Sequence, residues 1–268
     1  MKKIAITISL YKNVTVPQLE EMLGSLYSQI LPGDIFIKVD GSISLELREA
    51  LDKHKERITC IDYREENRGI AISYNELFEK VLGLGYEYIA RMDADDIMMP
   101  DRLQLQYNFL EHNREIDVVG GYIEEFGDDF AYSKIVKYPL THEEMFQFFT
   151  KRVPLANVTT FFRRSFFEKA GLYPTSSPTN EDTLLWMKGF AAGCRFANLP
   201  DVLVKVRISK DFFSRRGGVR KAWSDFKDRL EVIRTLGYNW DACFYAVAML
   251  GVNLAPGFVK KILYKKLR

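Results

Sequence analysis

The chain has 268 residues, 47% hydrophobic and 28% charged, with a net charge of +2, which suits one large globular domain or a domain with an appendage and calls for no nucleic-acid partner. The charge is unevenly placed: residues 219–268 hold ten Lys/Arg against four Asp/Glu, while the first 218 residues hold 28 against 32, so a near-neutral body carries a basic tail suited to an anionic surface. Cys60, Cys194 and Cys243 are odd in number, far apart and without metal-ligand spacing, which excludes a disulfide framework and fits a reduced cytosolic compartment.

Residues 3–10 alternate as a strand. Their apolar stretch is short and followed by polar Lys12 and Asn13, unlike a secretory leader. Leu19, Met22, Leu23, Leu26 and Ile30 have helical spacing between Pro17 and Pro32-Gly33. A second strand over 35–39 ends at Asp40-Gly41, and Leu45, Leu47 and Leu51 mark a weaker helix. A third strand, 58–63, turns at Glu66-Asn67-Arg68-Gly69 into a helix over 70–82. A fourth strand covers 86–92, and Pro100-Asp101 opens the next helical pattern. Strands alternating with helices predict βαβ units, right-handed crossovers and a mostly parallel sheet. One edge of that sheet then collects Tyr11-Lys12-Asn13, Asp40-Gly41-Ser42 and Asp93-Ala94-Asp95. Beyond 117–122 the rhythm is mixed. Residues 130–138 and 157–163 read as strands, 142–151 and 165–170 as helices. Asn180-Glu181-Asp182 begins another helix. Two short strands, 196–199 and 202–206, flank a turn at Pro200-Asp201. A polar, glycine-bearing loop over 209–220 leads to a helix at 223–236 and a final apolar-then-basic segment, 240–267. Soft boundaries near Tyr122 and Gly218 divide the chain into 1–122, 123–218 and 219–268.

Asp93, Asp95 and Asp96 crowd one spot, with Asp101 just beyond. An acidic turn is most often a capped turn. Here it follows a buried strand, at the carboxyl edge where open α/β sheets bind ligands. Extended backbone would point Asp93 and Asp95 the same way. Like charges held side by side call for a cation, and Mg²⁺ takes one or two carboxylates together with substrate phosphates.

Five segments in order, Ile-Thr-Ile-Ser-Leu-Tyr-Lys-Asn, Val-Asp-Gly-Ser, Glu-Asn-Arg-Gly, Arg-Met-Asp-Ala-Asp-Asp and Asn-Glu-Asp-Thr-Leu-Leu-Trp, span residues 4–186. Together they resemble family 2 glycosyltransferases, above all bacterial members that build O-antigen, capsule or exopolysaccharide. The resemblance implies an α/β GT-A fold, with a Rossmann-like, mostly parallel sheet flanked by helices. It makes 1–122 the nucleotide-sugar half, 123–218 a more irregular acceptor half and 219–268 a helical, basic, membrane-associating appendage. It implies an inverting, metal-dependent hexosyl- or N-acetylhexosaminyl-transferase that moves sugar from a UDP-sugar to a hydroxyl of a lipid-linked saccharide.

The same resemblance assigns roles to single residues. Asp95 is the ligand of Mn²⁺ or Mg²⁺. Asp93 contacts ribose or metal-bound water, and Asp96 supports them. Asp40 accepts the uracil N–H, although the family usually has two acids before this glycine and here Lys38-Val39 precede a single one. Arg68 approaches the base or phosphates, and Tyr11 covers the base. Asp182, with Glu181 beside it, takes the acceptor's proton, and Trp186 one turn later lines the acceptor pocket. The family's usual histidine is missing from 206–210, so Arg207, with Lys210, Arg215 and Arg216, is expected at the diphosphate. The residues alone leave blander accounts open. Asp40-Gly41 is also a strand-ending turn, and Arg68 also a solvated side chain. Glu181 and Asp182 also complement a helix dipole, and Trp186 also suits a core.

The apolar stretch 242–258 is broken by Asn253 and Pro256 and is too short to span a bilayer. Followed by basic residues, it suits attachment to an anionic inner leaflet, or a helix packed on the domain. A nucleotidylyltransferase would want a glycine-rich loop after the first strand, and an oxidoreductase a G-x-G-x-x-G motif there; neither is present. Intact Asp95 and Asp182 argue against a catalytically silent nucleotide-sugar-binding protein.

Overall fold

The computed structural model describes residues 3–127, 133–176, 180–208 and 218–254. Among these, nine strands form one sheet in the order β3-β2-β1-β4-β8-β6-β9-β5, with β7 added beside β6. The first four strands, β1 (Ile4–Leu10), β2 (Asp34–Asp40), β3 (Cys60–Arg64) and β4 (Tyr88–Asp93), are parallel neighbours. They alternate with α1 (Val16–Tyr27), α2 (Leu45–Lys53) and α3 (Ile70–Gly83). β1 lies between β2 and β4, so the chain turns to opposite sides after it. This is the switch point at whose carboxyl edge ligands bind in such sheets.

β1 explains why the sheet is covered on both faces. Ile4, Ile6, Ile8 and Leu10 join one core with Leu19, Met22 and Leu23 of α1. Ala5 faces the other core with Phe36 and with Tyr74 and Phe78 of α3. Burial on both faces is what an all-parallel region requires. α1 starts where Thr15 and Gln18 form a reciprocal capping box, with Pro17 in its first turn. It ends at Tyr27, and Ile30, expected within it, is exposed.

The second half adds short and antiparallel pieces. β5 (Ile97–Met98) follows the acidic turn, and α4 (Arg102–His112) leads to β6 (Val118–Gly127) and β7 (Ser133–Val136). α5 (His142–Phe149), β8 (Phe161–Arg163), α6 (Arg164–Ala170), α7 (Glu181–Ala191) and β9 (Phe196–Ile208) follow. β6 runs through Tyr122, where the soft boundary was expected, and shares one sheet with β4 through β8. Residues 157–159 form a 3₁₀ turn rather than a strand. β9 is a single strand instead of two. Leu199 pairs with Gly121 and Val202 with Tyr122, so Pro200 and Asp201 are bulged out and the ladder resumes beyond them. A bulge is one of the few places where proline fits a sheet. Two further helices, α8 (Val219–Leu236) and α9 (Asp241–Leu254), close the described chain. The basic residues of 259–268, and most of the 209–220 loop with Lys210, Arg215 and Arg216, lie outside the described residues.

Gly41 follows β2 with φ +91°, and a Cβ there would lie 3.0 Å from the backbone nitrogen of Asn67. Both strain and crowding therefore require glycine. Gly41→Ala is expected to lower unfolding stability by about 1–2 kcal/mol, measured by urea titration. An unchanged midpoint would show that the 66–69 loop does not hold Gly41 as described.

Candidate active site

The strand ends place three of the sequence-derived groups on one edge. Ser9 pairs with Asp93 and Leu10 with Val39, so Tyr11, Asp40 and Asp93 sit at neighbouring strand termini. Asp93 is the last residue of β4, and Ala94-Asp95 already turn. The acids thus occupy a strand end and a turn, and the extended geometry expected for Asp93 and Asp95 stops at Asp93.

The most buried cation of this edge escaped the sequence reading. Arg91 is 3% exposed. Its guanidinium grips Asp93 through both terminal nitrogens, at 3.1 and 2.8 Å, and lies 4.6 Å above the ring of Tyr74. Burial opposes its charge, but Asp93 and the surrounding groups hold its pKa well above the ordinary arginine value. The signal was available, because Arg91 and Asp93 are two apart on β4 and so share a face.

Beyond the turn, Asp96 is 3% exposed. Burial, then the charges of Asp95 and Asp93, raise its pKa well above the carboxylate range. Its Oδ1 accepts from the backbone N–H of Arg207 at 2.8 Å. The Arg207 side chain corrects an expectation. It is buried, with Nε on the carbonyl of Asp95 at 3.2 Å, Nη2 on Glu21 at 2.5 Å and the guanidinium over Phe126. Arg207 therefore ties the acidic turn to β9 and α1, and its fork is not turned toward a diphosphate.

Asp40 is likewise turned inward, at 3% exposure. Its Oδ1 accepts from the Arg64 guanidinium and, at 2.9 Å, from the N–H of Arg68; its Oδ2 accepts from the N–H of Gly69 at 3.0 Å. The carboxylate expected to read uracil thus accepts from the chain on both oxygens and shapes the Glu66-Asn67-Arg68-Gly69 loop. That loop leaves the Arg68 side chain 56% exposed. Gly69, at φ +93°, begins α3. The hydroxyl of Tyr11 accepts from the Asn13 amide at 2.9 Å.

Across from these ends stands the start of α7. Asp182 Oδ1 accepts from the Thr183 N–H at 2.6 Å and from its hydroxyl at 3.3 Å. Glu181 is half-buried. Burial first, and then the charge of Asp182, push its pKa up to about 7; Arg91 opposes this rise and Asp93 adds to it. Glu181 thus feels both Asp93 and the Arg91 that pairs with it. Tyr173 is near the same groups. It is buried, stacks on Phe78, and feels the charges of Arg91, Glu181 and Asp182. Asn75 of α3 holds its backbone through paired hydrogen bonds at 2.9 Å. Trp186, expected at an acceptor pocket, is instead fully buried among Phe162, Phe166 and Phe196. One turn beyond Asp182, the helix already faces the core. His142 is also structural, its Nδ1 accepting from the N–H of Phe196.

The family model for glycosyl transferase family 2 matches residues 6–171, which takes in β1 through α6 and every strand end of the edge. The chain belongs to glycosyl transferase family 2. The amylovoran biosynthesis glycosyltransferase AmsE of Erwinia amylovora is 28% identical over 98% of both chains. An Escherichia coli UDP-Gal:alpha-D-GlcNAc-diphosphoundecaprenol beta-1,3-galactosyltransferase is 25% identical over 98% of this chain and 96% of its own. Among solved structures, the mannosyltransferase PcManGT of Pyrobaculum calidifontis, in complex with GDP-Man and Mn²⁺, superposes with a TM-score of 0.64 at 17% identity, over 99% of this chain and 79% of that one. The protein is a glycosyltransferase with the GT-A fold.

In this glycosyltransferase the raised pKa of Glu181 has a signed consequence. Its folded value, about 7, lies above the ordinary glutamate value of about 4.3. The protonated form favours folding, so stability falls as pH rises from roughly 4.5 to 7. Glu181→Gln is expected to stabilise the fold at pH 8 by on the order of 2 kcal/mol and to match the parent at pH 4. Denaturation at both pH values checks this, and a gap of the same size at both would refute it.

Proposed function

We propose that this family 2 glycosyltransferase is an inverting, metal-dependent enzyme of bacterial surface-polysaccharide synthesis. It moves a sugar from a UDP-sugar to a hydroxyl of a lipid-linked saccharide at the cytoplasmic face of the membrane. The observation that carries this reading is the electrostatic proximity of two acid sets: Glu181, beside Asp182, feels the charges of Arg91 and of Asp93 at the strand end. The names of the relatives, for amylovoran biosynthesis and for transfer from UDP-Gal to a diphosphoundecaprenol-linked GlcNAc, support the donor and acceptor classes.

The donor set suits a hard divalent cation, Mn²⁺ or Mg²⁺. Burial first, and then the charges of Asp95 and Asp93, raise the proton affinity of Asp96, and a cation would relieve the carboxylate part of that cost. Among the described residues no three His, Cys, Asp or Glu side chains cluster closely enough to hold a metal. That agrees with an ion held by one or two carboxylates and completed by phosphates and water. Asp95 is the direct ligand on this reading, with Asp93 beside it. When bound, such an ion neutralises the charge that develops on a departing diphosphate. The chain's own residues do the rest. Arg68, exposed and held by its backbone to Asp40, reaches toward base or phosphate, and Tyr11 covers the base. Asp40 and Arg207 act by fixing loops. Asp182 takes the acceptor's proton, and Glu181 sets the local charge beside it.

Peripheral attachment to the membrane draws on α9. Phe244, Val247 and Leu254 on it are exposed, as is Trp240 just before it, by 74%. The chain beyond it, 259–268, carries five Lys/Arg and no acid. Among the described residues no helix is long and apolar enough to cross a membrane, so an interfacial helix is the form of contact that fits.

Two substitutions test the assignment. Asp95→Ala is expected to abolish Mn²⁺-dependent UDP binding in calorimetry, and unchanged affinity removes Asp95 as the metal ligand. Asp182→Asn is expected to bind UDP within about twofold of the parent yet lose turnover by roughly a hundredfold or more. The assay is UDP release from UDP-Gal and UDP-GlcNAc with GlcNAc-diphosphoundecaprenol. Metal-dependent UDP binding without turnover on any pair would favour a silent nucleotide-sugar-binding protein.

A further inference from the structure

A cleft opens beside the start of α7, with Asn180 and Thr183, the neighbours of Glu181 and Asp182, in its wall. It has a volume of about 180 Å³ and lies between α7, α8 and α9, with Asn180, Asp225, Phe226, Arg229, Tyr245 and Asn253 among its lining. None of these residues belongs to the strand-end edge. Asn180 joins the two sites, since it immediately precedes Glu181 and Asp182.

The lining has the chemistry of a sugar site. Asn180 sends its amide N–H groups to Asp225 at 2.8 Å and Asp228 at 2.6 Å. Lys221 meets the same oxygen of Asp225 at 2.9 Å, while its Oδ2 meets the Asn253 amide at a long 3.5 Å. That oxygen retains capacity for a hydroxyl. The Arg229 guanidinium is largely enclosed, and burial lowers its pKa. Among the described residues it has one hydrogen-bond acceptor, the carbonyl of Phe149 at 2.5 Å, although a guanidinium carries five N–H donors. Phe226 and Tyr245 add apolar surface beside these groups. Acids and bases are both present, with Asp225 and Asp228 against Lys151 and Arg229. A phosphate would meet the two carboxylates, whereas a neutral ring of hydroxyls finds both donors and acceptors. The volume also selects. Nucleotide- or drug-sized ligands use pockets of roughly 300 Å³ or more, so this cleft holds about one sugar ring.

We infer that the α7–α8–α9 cleft binds one neutral hexose ring of the acceptor saccharide, through Asp225, Arg229 and the amide of Asn253, with Asn180 holding Asp225 in place. This rests on the proposed transfer reaction and adds its acceptor subsite. The ring held here would lie next to the acid pair that receives the acceptor's proton, and Asn180 would report its presence to the start of α7.

The test is ligand-observed saturation-transfer NMR on the full chain, with D-glucose, D-galactose, D-mannose, GlcNAc and GalNAc as probes, beside a UDP titration with Mn²⁺. At least one monosaccharide is expected to receive saturation. Its affinity should fall by roughly tenfold in Arg229→Met and in Asp225→Asn, as for a lost hydrogen bond to a charged group, while UDP affinity stays within about twofold. Because Arg229 also holds the carbonyl of Phe149, Asn253→Leu serves as a second variant outside that contact and should weaken the same sugar. UDP binding with no saturation of any monosaccharide overturns the cleft and leaves the donor site standing. Saturation that all three variants leave unchanged overturns it as well. Variant-sensitive sugar binding without UDP binding keeps the cleft as a sugar site and sinks the donor reading instead.

Discussion

The buried guanidinium of Arg91 is the constraint around which the candidate active site is organised. Removing such a charge from water costs several kcal/mol unless its geometry is well satisfied. Here the two-nitrogen grip on Asp93 and the ring of Tyr74 supply that satisfaction. The Arg91 Nε still has no hydrogen-bond partner, so the pairing with Asp93 must bear most of the offset. Asp93 is thereby fixed in orientation, and the turn that follows inherits a defined start. Arg91 also carries a positive charge that both Asp96 and Glu181 feel.

Several charged residues that look like ligand contacts in a sequence are found holding loops. Asp40 gathers three backbone and side-chain donors and shapes 66–69. Arg207 spans from the acidic turn to Glu21. Each is an ion buried with its hydrogen bonds satisfied, which makes it rigid and removes it from solvent. The residues left open, Arg68 above all, are displayed by those that are not. A binding edge of this kind needs both sorts, because exposed groups on loops keep a productive geometry only where buried neighbours fix the backbone.

The sequence was most informative where backbone periodicity and chemistry coincide. Four parallel strands and their order of ends followed from alternation and turn residues, and the acids at Asp93–Asp96 and Glu181–Asp182 followed from motifs in sequence order. Side-chain direction was less legible. Val39 and Asp40 differ by one residue and face opposite sides of β2, so losing one acid of a usual pair changes which face carries the carboxylate. Trp186 lies four residues after Asp182, close enough in register to suggest a shared face, yet the aromatic core of α6 and β9 claims it. Arg91 went unread because a lone arginine inside an apolar strand draws less notice than the acids after it. The continuity of β9 was hidden by Pro200, whose local preference for a turn is met by a bulge within the strand.

The two helices at the end of the described chain connect these local features. α9 presents Tyr245, Ala246, Met249 and Asn253 to the inner cleft, and Phe244, Val247 and Leu254 outward, with Trp240 exposed just before it. The inner residues recur three and four apart and the outer ones three and seven, as the two sides of one helix must. α8 contributes Asp225 and Asp228, which hold Asn180 at the start of α7. On the proposed reading, the face that meets the bilayer and the cleft that meets the sugar are separated by the thickness of α9 alone. A saccharide carried on a lipid then needs no long excursion from the membrane to reach the acids. Its ring passes over one helix, while Asn180 ties that helix pair to the proton-accepting end of α7. The basic residues beyond α9 add long-range attraction to the same surface, which would orient the molecule before the apolar side chains engage.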